Sequence, residues 1–147
     1  MARITDEMAQ FIENERLCFV ATVSPENAPN ISPKGSLMRS GDSSIAFADI
    51  RSPDTVANLE SNPAVEVSVI SPIVRRGYLF AGRGRVVRED PEFDDMVARF
   101  REMGIKSPIG TVVIIDVDRV EETMSPLYDL GYTEDQIRET WKKHYFS

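Results

Sequence analysis

Met8, Phe11 and Ile12 recur at helical spacing behind Thr5, Asp6 and Glu7, which predicts an amphipathic helix over residues 6–15 with acids at the positive end of its dipole. From Leu17 the period changes. Leu17–Val23 is strand-like, Ser24-Pro25-Glu26-Asn27 has the residues of a turn, and Pro29–Lys34 predicts a second strand whose prolines suit an edge or a bulge. These two read as a hairpin. Gly41-Asp42-Ser43 is the next turn, and Ser44–Asp49 predicts a third strand with Ile45 and Phe47 on one face. Ser52-Pro53 opens a short helix from about Asp54 to Ser61, with serine placed to cap and proline where its missing N–H costs nothing.

Beyond Asn62-Pro63, Val65, Val67 and Val69 alternate through Ala64–Ile70 as strand four. Tyr78–Arg88 predicts strand five, with Tyr78 and Phe80 on alternate core positions and Gly82 and Gly84 permitting a bulge or a close backbone approach. Asp90-Pro91 starts a helix with Phe93, Met96, Val97 and Phe100 on its apolar face and Gly104 at its end. Gly110–Val120 is the sixth and most apolar strand. Thr133 and Gln136, spaced as a capping box, open a terminal helix carrying Ile137 and Trp141 four apart.

Six strands with short connections do not alternate with helices as βαβ units, so the pattern predicts a mainly β (α+β) fold, a six-stranded antiparallel barrel with flanking helices. A chain of 147 residues, 41% hydrophobic, suits one domain: a barrel with its N-terminal helix over 1–123 and a helical tail over 124–147. No apolar run approaches the ~20 residues of a membrane span, and the charged N-terminal stretch does not resemble a signal peptide, so no membrane partner and a cytoplasmic location are expected.

A net charge of −7 opposes attraction to nucleic acid. Against that background Arg75, Arg76, Arg83, Arg85 and Arg88 form a local basic stretch, which either faces a small anion or an acidic surface or is a solvated strand face paired with acidic neighbours. Cys18, the one cysteine, reads as a buried hydrophobe. His144 has no companion for a metal site or a nucleophile–base pair, and neither a dinucleotide fingerprint nor a P-loop occurs. No metal is expected, no catalytic residue is identifiable, and any chemistry must come from a cofactor.

Pro29-Asn30-Ile31-Ser32-Pro33-Lys34-Gly35-Ser36, then Ile45-Ala46-Phe47-Ala48-Asp49, then Arg51-Ser52-Pro53-Asp54-Thr55-Val56-Ala57-Asn58-Leu59 and Asn62-Pro63 follow one another in an order and spacing that resemble the FMN-binding split-barrel family related to pyridoxamine 5'-phosphate oxidase. The resemblance covers about the first 90 residues and extends more loosely to Gly82–Val86. It implies a split β-barrel, FMN as cofactor and a homodimer whose second subunit covers the flavin groove. It places Pro33, Lys34, Gly35 and Ser36 along the flavin, with Lys34 toward the pyrimidine side of the ring. Arg51, Ser52 and Thr55 would grip the phosphate, Phe47, Ala48 and Asp49 would flank the cofactor, and Asn58 would reach the ribityl chain.

For the residues taken alone, Lys34 is equally a solvated edge lysine, Ser52 a helix cap, Phe47 plain core and Asn58 a solvent-facing polar group. Asp54 brings negative charge to the phosphate end. The segment Ser125–Tyr132 and Trp141 either cover a neighbouring subunit's site or pack an aromatic tail onto the barrel. The chain lacks the basic, histidine- and arginine-containing end of authentic pyridoxamine phosphate oxidases, so oxidation of a B6 vitamer is not implied. The expected activity is an FMN-dependent oxidoreductase acting on a small molecule, with NAD(P)H as a possible electron donor. The alternatives are a non-catalytic flavin-binding or general stress protein, or an F420- or haem-binding relative.

Overall fold

A computed structural model of the chain describes residues 1–147. Its elements are α1 (Asp6–Glu15), β1 (Cys18–Val23), β2 (Pro29–Lys34), β3 (Met38–Gly41), β4 (Ser44–Asp49), α2 (Pro53–Ser61), β5 (Ala64–Ser71), β6 (Arg76–Val87), α3 (Pro91–Glu102), β7 (Thr111–Met124), α4 (Pro126–Asp129) and α5 (Glu134–Phe146). All strand pairs are antiparallel, in the order β2-β1-β5-β6-β7-β4-β3.

The sheet has seven strands, one more than the sequence pattern predicts. The addition is β3, four residues that fold back on β4 across Asp42-Ser43. It lies at the sheet edge, with Met38–Ser40 half-buried and Gly41 exposed, so it has none of the apolar alternation by which strands are read. The helix starts follow local chemistry: Thr5 accepts from Met8 N–H at 3.1 Å, Asp90 from Phe93 N–H at 2.9 Å, and Thr133 and Gln136 form a complete capping box.

The period-2 rule sorts the core into two layers. Ile45 and Phe47 of β4 and Val113, Ile115 and Val117 of β7 point into the barrel, where they meet Val20, Val67, Val69, Phe80 and α1's Ile12. Ala46, Ala48, Val112 and Ile114 point outward and are covered by Met96 and Phe100 of α3. Val112–Ile115 is a continuous apolar run because both of its faces are buried. Cys18 is fully buried, and burial pushes its thiol up to about 12.

In β6 the register shifts between Ala81 and Gly82, and a Cβ on Gly82 would lie 2.0 Å from the Asp116 carbonyl oxygen. The predicted bulge is therefore present, and glycine is required by backbone approach rather than by φ. No helix is long and apolar enough to cross a membrane.

Candidate functional site

β2 and β3 are the two free edges of the sheet, yet only Gly35, Ser36 and Leu37 separate them in sequence. A three-residue connection spans about 10 Å at most, so the edges return to each other and the barrel is split at this seam. Edge backbone has unpaired polar groups, and here they adjoin a cleft of about 470 Å³. Its walls are Pro33–Ser36, then Ala48, Ile50, Arg51 and Ser52, and, across from them, Gly104–Ser107 of the α3–β7 loop. A second, shallower cleft bounded by Asn30, Ser32, Asp54 and Thr55 shares Pro33, Arg51 and Ser52 with the first.

Segments far apart in sequence thus meet at one cleft, and their side chains play different parts there. Gly35 is open: a Cβ there would meet nothing within 4 Å, so a ligand can approach the backbone. Ser36 is buried and its hydroxyl serves the fold, accepting from Ala48 N–H at 3.0 Å where β3 has ended and cannot pair with β4. Ala48 borders the cleft through that connection. Arg51 is exposed at the cleft mouth and Thr55 is buried at the start of α2.

Phe47 belongs to the barrel core and Asn58 turns inward, its amide donating to Thr22 Oγ1 at 3.1 Å; neither borders the cleft. Asp49 also stands back from both clefts, with Oδ1 buried and lacking a hydrogen-bond partner.

Lys34 is only 8% exposed, which removes the solvated edge lysine as an account of it. Its ammonium donates to Ser32 Oγ at 3.0 Å and to Ser52 Oγ, and it lies 5.6 Å from the Phe47 ring centroid. Burial lowers its pKa, partly offset by the charges of Asp49 and Cys18. Ser52 makes no capping bond, because its hydroxyl is turned toward this ammonium instead.

The arginine stretch resolves into the solvated, paired face. Arg83 meets Asp118 at 3.4 Å, Arg88 meets Glu60 at 2.9 Å, Arg76 meets Glu134 at 3.6 Å, and Arg85 bonds Glu92 with Asp116 at 3.8 Å. Arg75 instead lies 3.4 Å over the Trp141 ring and donates to Tyr145 at 3.1 Å, while Tyr128 donates to Val74 O at 2.6 Å, so the aromatic tail packs on its own chain's β5–β6 turn. No His, Cys, Asp and Glu cluster suits a metal ion.

Sequence reasoning missed Ile105, Lys106 and Ser107. Gly104 marks the end of α3, but nothing local ties the loop beyond it to Lys34.

A family model described as pyridoxamine 5'-phosphate oxidase matches residues 4–124. HupZ from Group A Streptococcus is 30% identical, with 83% of this chain and 95% of that chain covered at a TM-score of 0.74. An FMN-binding protein from Syntrophomonas wolfei superposes at 0.65 with 18% identity over 79% of this chain and 84% of the other. A Clostridium acetobutylicum protein related to general stress protein 26 of B. subtilis superposes at 0.60 with 17% identity over 80% and 86%. These last two share the fold. No curated protein matches the chain.

Proposed function

Because the chain belongs to the pyridoxamine 5'-phosphate oxidase family, we propose that its seam cleft binds FMN and that the protein is an FMN-dependent oxidoreductase acting as a homodimer. The observation that carries this is the seam itself, where open backbone at Gly35, a buried ammonium and the start of α2 border one cleft of about 470 Å³. Those residues fit a flavin mononucleotide, a flat polar-edged ring ending in a phosphate. Pro33 and Gly35 would line the ring, Ala48 and Ile50 would exclude water from one side, and Arg51, Ser52 and Thr55 would receive the phosphate end. Bound flavin supplies hydride and electron transfer, with a small-molecule substrate and a donor such as NAD(P)H as its partners. The protein's contribution is orientation, since neither cleft holds a histidine, cysteine or paired carboxylate for acid–base work.

The homodimer is supported by apolar side chains left outside the barrel. Phe19, Ile31, Pro33 and Ile70 share the outer face of β2, β1 and β5, and Phe19 and Ile31 are 42% and 69% exposed beside the seam. A second copy seated there would cover the cleft.

The visible spectrum of the purified protein, with and without added FMN, tests the cofactor. A two-banded flavin spectrum and saturable quenching of FMN fluorescence are expected. A Soret band, or binding of F420 in preference to FMN, would overturn the assignment. NADH or NADPH oxidation by the loaded protein, with a panel of acceptors, separates an oxidoreductase from a flavin carrier.

A further inference from the structure

We propose that the cavity enclosed by α1, the β5–β6 turn and α5 binds an organic ammonium ion, a primary amine carried on an apolar body. The cavity shares no residue with the two seam clefts, so it stands independently of the flavin reading. One wall, Glu134 and Arg138, belongs to α5, beyond the residues 4–124 that the family model matches.

The cavity has a volume of about 440 Å³, and Tyr78 on its floor is only 8% exposed. The Tyr78 hydroxyl enters none of the chain's hydrogen bonds, so a polar group that enters the cavity meets an unpaired partner. The charges around it set the sign of that group. Burial raises the Tyr78 pKa, the carboxylates of Glu7 and of Glu122 across the strand pair raise it further, and Arg76 opposes them more weakly. The potential at the hydroxyl is therefore negative, which draws a cation and repels a carboxylate.

Glu7 borders the cavity and pairs with no basic side chain. Gln10 donates through its amide nitrogen to Asn14 at 2.9 Å, which leaves its carbonyl oxygen as a further acceptor. On the facing wall the guanidiniums are already engaged: Arg138 meets Glu134 at 3.3 Å and Asp135 at 2.9 Å, and Arg76 meets Glu134 at 3.6 Å. Glu7 and Glu134 thus cancel Arg76 and Arg138, while Asp135 and Glu122 tip the surroundings negative. The floor suits the apolar body. Phe11 stands edge-on to Tyr78, with ring centroids 5.3 Å apart at 85°, beside Val74. Aromatic faces also attract an ammonium.

The test is an amide NMR titration of the full chain with phenethylamine, with its neutral isostere 2-phenylethanol and with phenylacetate, which reverses the charge. Phenethylamine should give saturable shifts confined to residues 7–14, 74–78 and 134–138. 2-Phenylethanol should bind about tenfold more weakly, and phenylacetate should give no saturable shift. Glu7→Gln should weaken phenethylamine by a few-fold, as should Tyr78→Phe, which keeps the ring and is checked for folding by circular dichroism. Glu13→Gln, on the same helix but outside the cavity, should leave binding unchanged, so the protein's overall negative charge does not account for it. Equal affinity for 2-phenylethanol, saturable binding of phenylacetate, undiminished binding in Glu7→Gln, or no saturable phenethylamine shift in those segments would overturn the proposal. None of these results bears on the flavin site.

Discussion

Ser52 looks like a helix cap in sequence and is something else in the structure. Its hydroxyl accepts from Lys34, and no capping bond forms. Ser52→Ala should therefore cost about 1–2 kcal/mol by leaving a buried donor short of a partner, and that cost should largely vanish in a Lys34→Met background. A cap would give additive losses in a double-mutant cycle of urea midpoints. Cys18 offers a second residue-level test. Its pKa is raised from 9.0 to about 12, so the folded chain holds a proton that the unfolded chain would release. The stability linked to that thiol is complete below 9.0 and is lost as pH climbs toward 12. The fall in thermal midpoint across that window should be shallower in Cys18→Ala, and at neutral pH a thiol reagent should label wild type no faster than it globally opens. Residue identity was legible for the cleft, because Pro33–Ser36 and Arg51–Thr55 are contiguous motifs. Side-chain direction was not: Ser36, Phe47 and Asn58 satisfy sheet and core contacts that only the assembled barrel creates.

The elements were more legible than the site. The starts of α1, α2, α3 and α5 fell where caps or prolines placed them in the sequence, whereas the one-turn α4 behind Ser125-Pro126 was not foreseen; valine alternation located β5 in full view. β3 escaped because an exposed edge imposes no apolar pattern, and β7 runs past Val120 to Met124 because its polar end is held by pairing with the start of β6. That pairing depends on the bulge at Gly82. Gly82→Ala would push a methyl group into the Asp116 carbonyl, forcing β6 and β7 apart. A loss of about 3 kcal/mol is expected in denaturant titration, against under ~1 kcal/mol for Gly110→Ala, where a Cβ meets nothing within 4 Å.

For the whole molecule, the exposed face of β2, β1 and β5 is an apolar patch next to the cleft. Sedimentation should give about twice the 16.5 kDa chain mass, and Phe19→Lys with Ile31→Lys should return it to one copy with weakened flavin retention. A monomeric wild type that keeps its flavin would remove the second copy from the site. The strand order has a further consequence, in time rather than space. β4 pairs early with β3 but finds its second partner only in β7, the last strand of the chain, as β1 finds its second partner only in β5. During synthesis the N-terminal half therefore waits with Ile45 and Phe47 uncovered until residues 111–116 emerge. The seam cleft cannot form piecemeal, and a nascent chain released before β7 is a substrate for chaperones rather than for flavin.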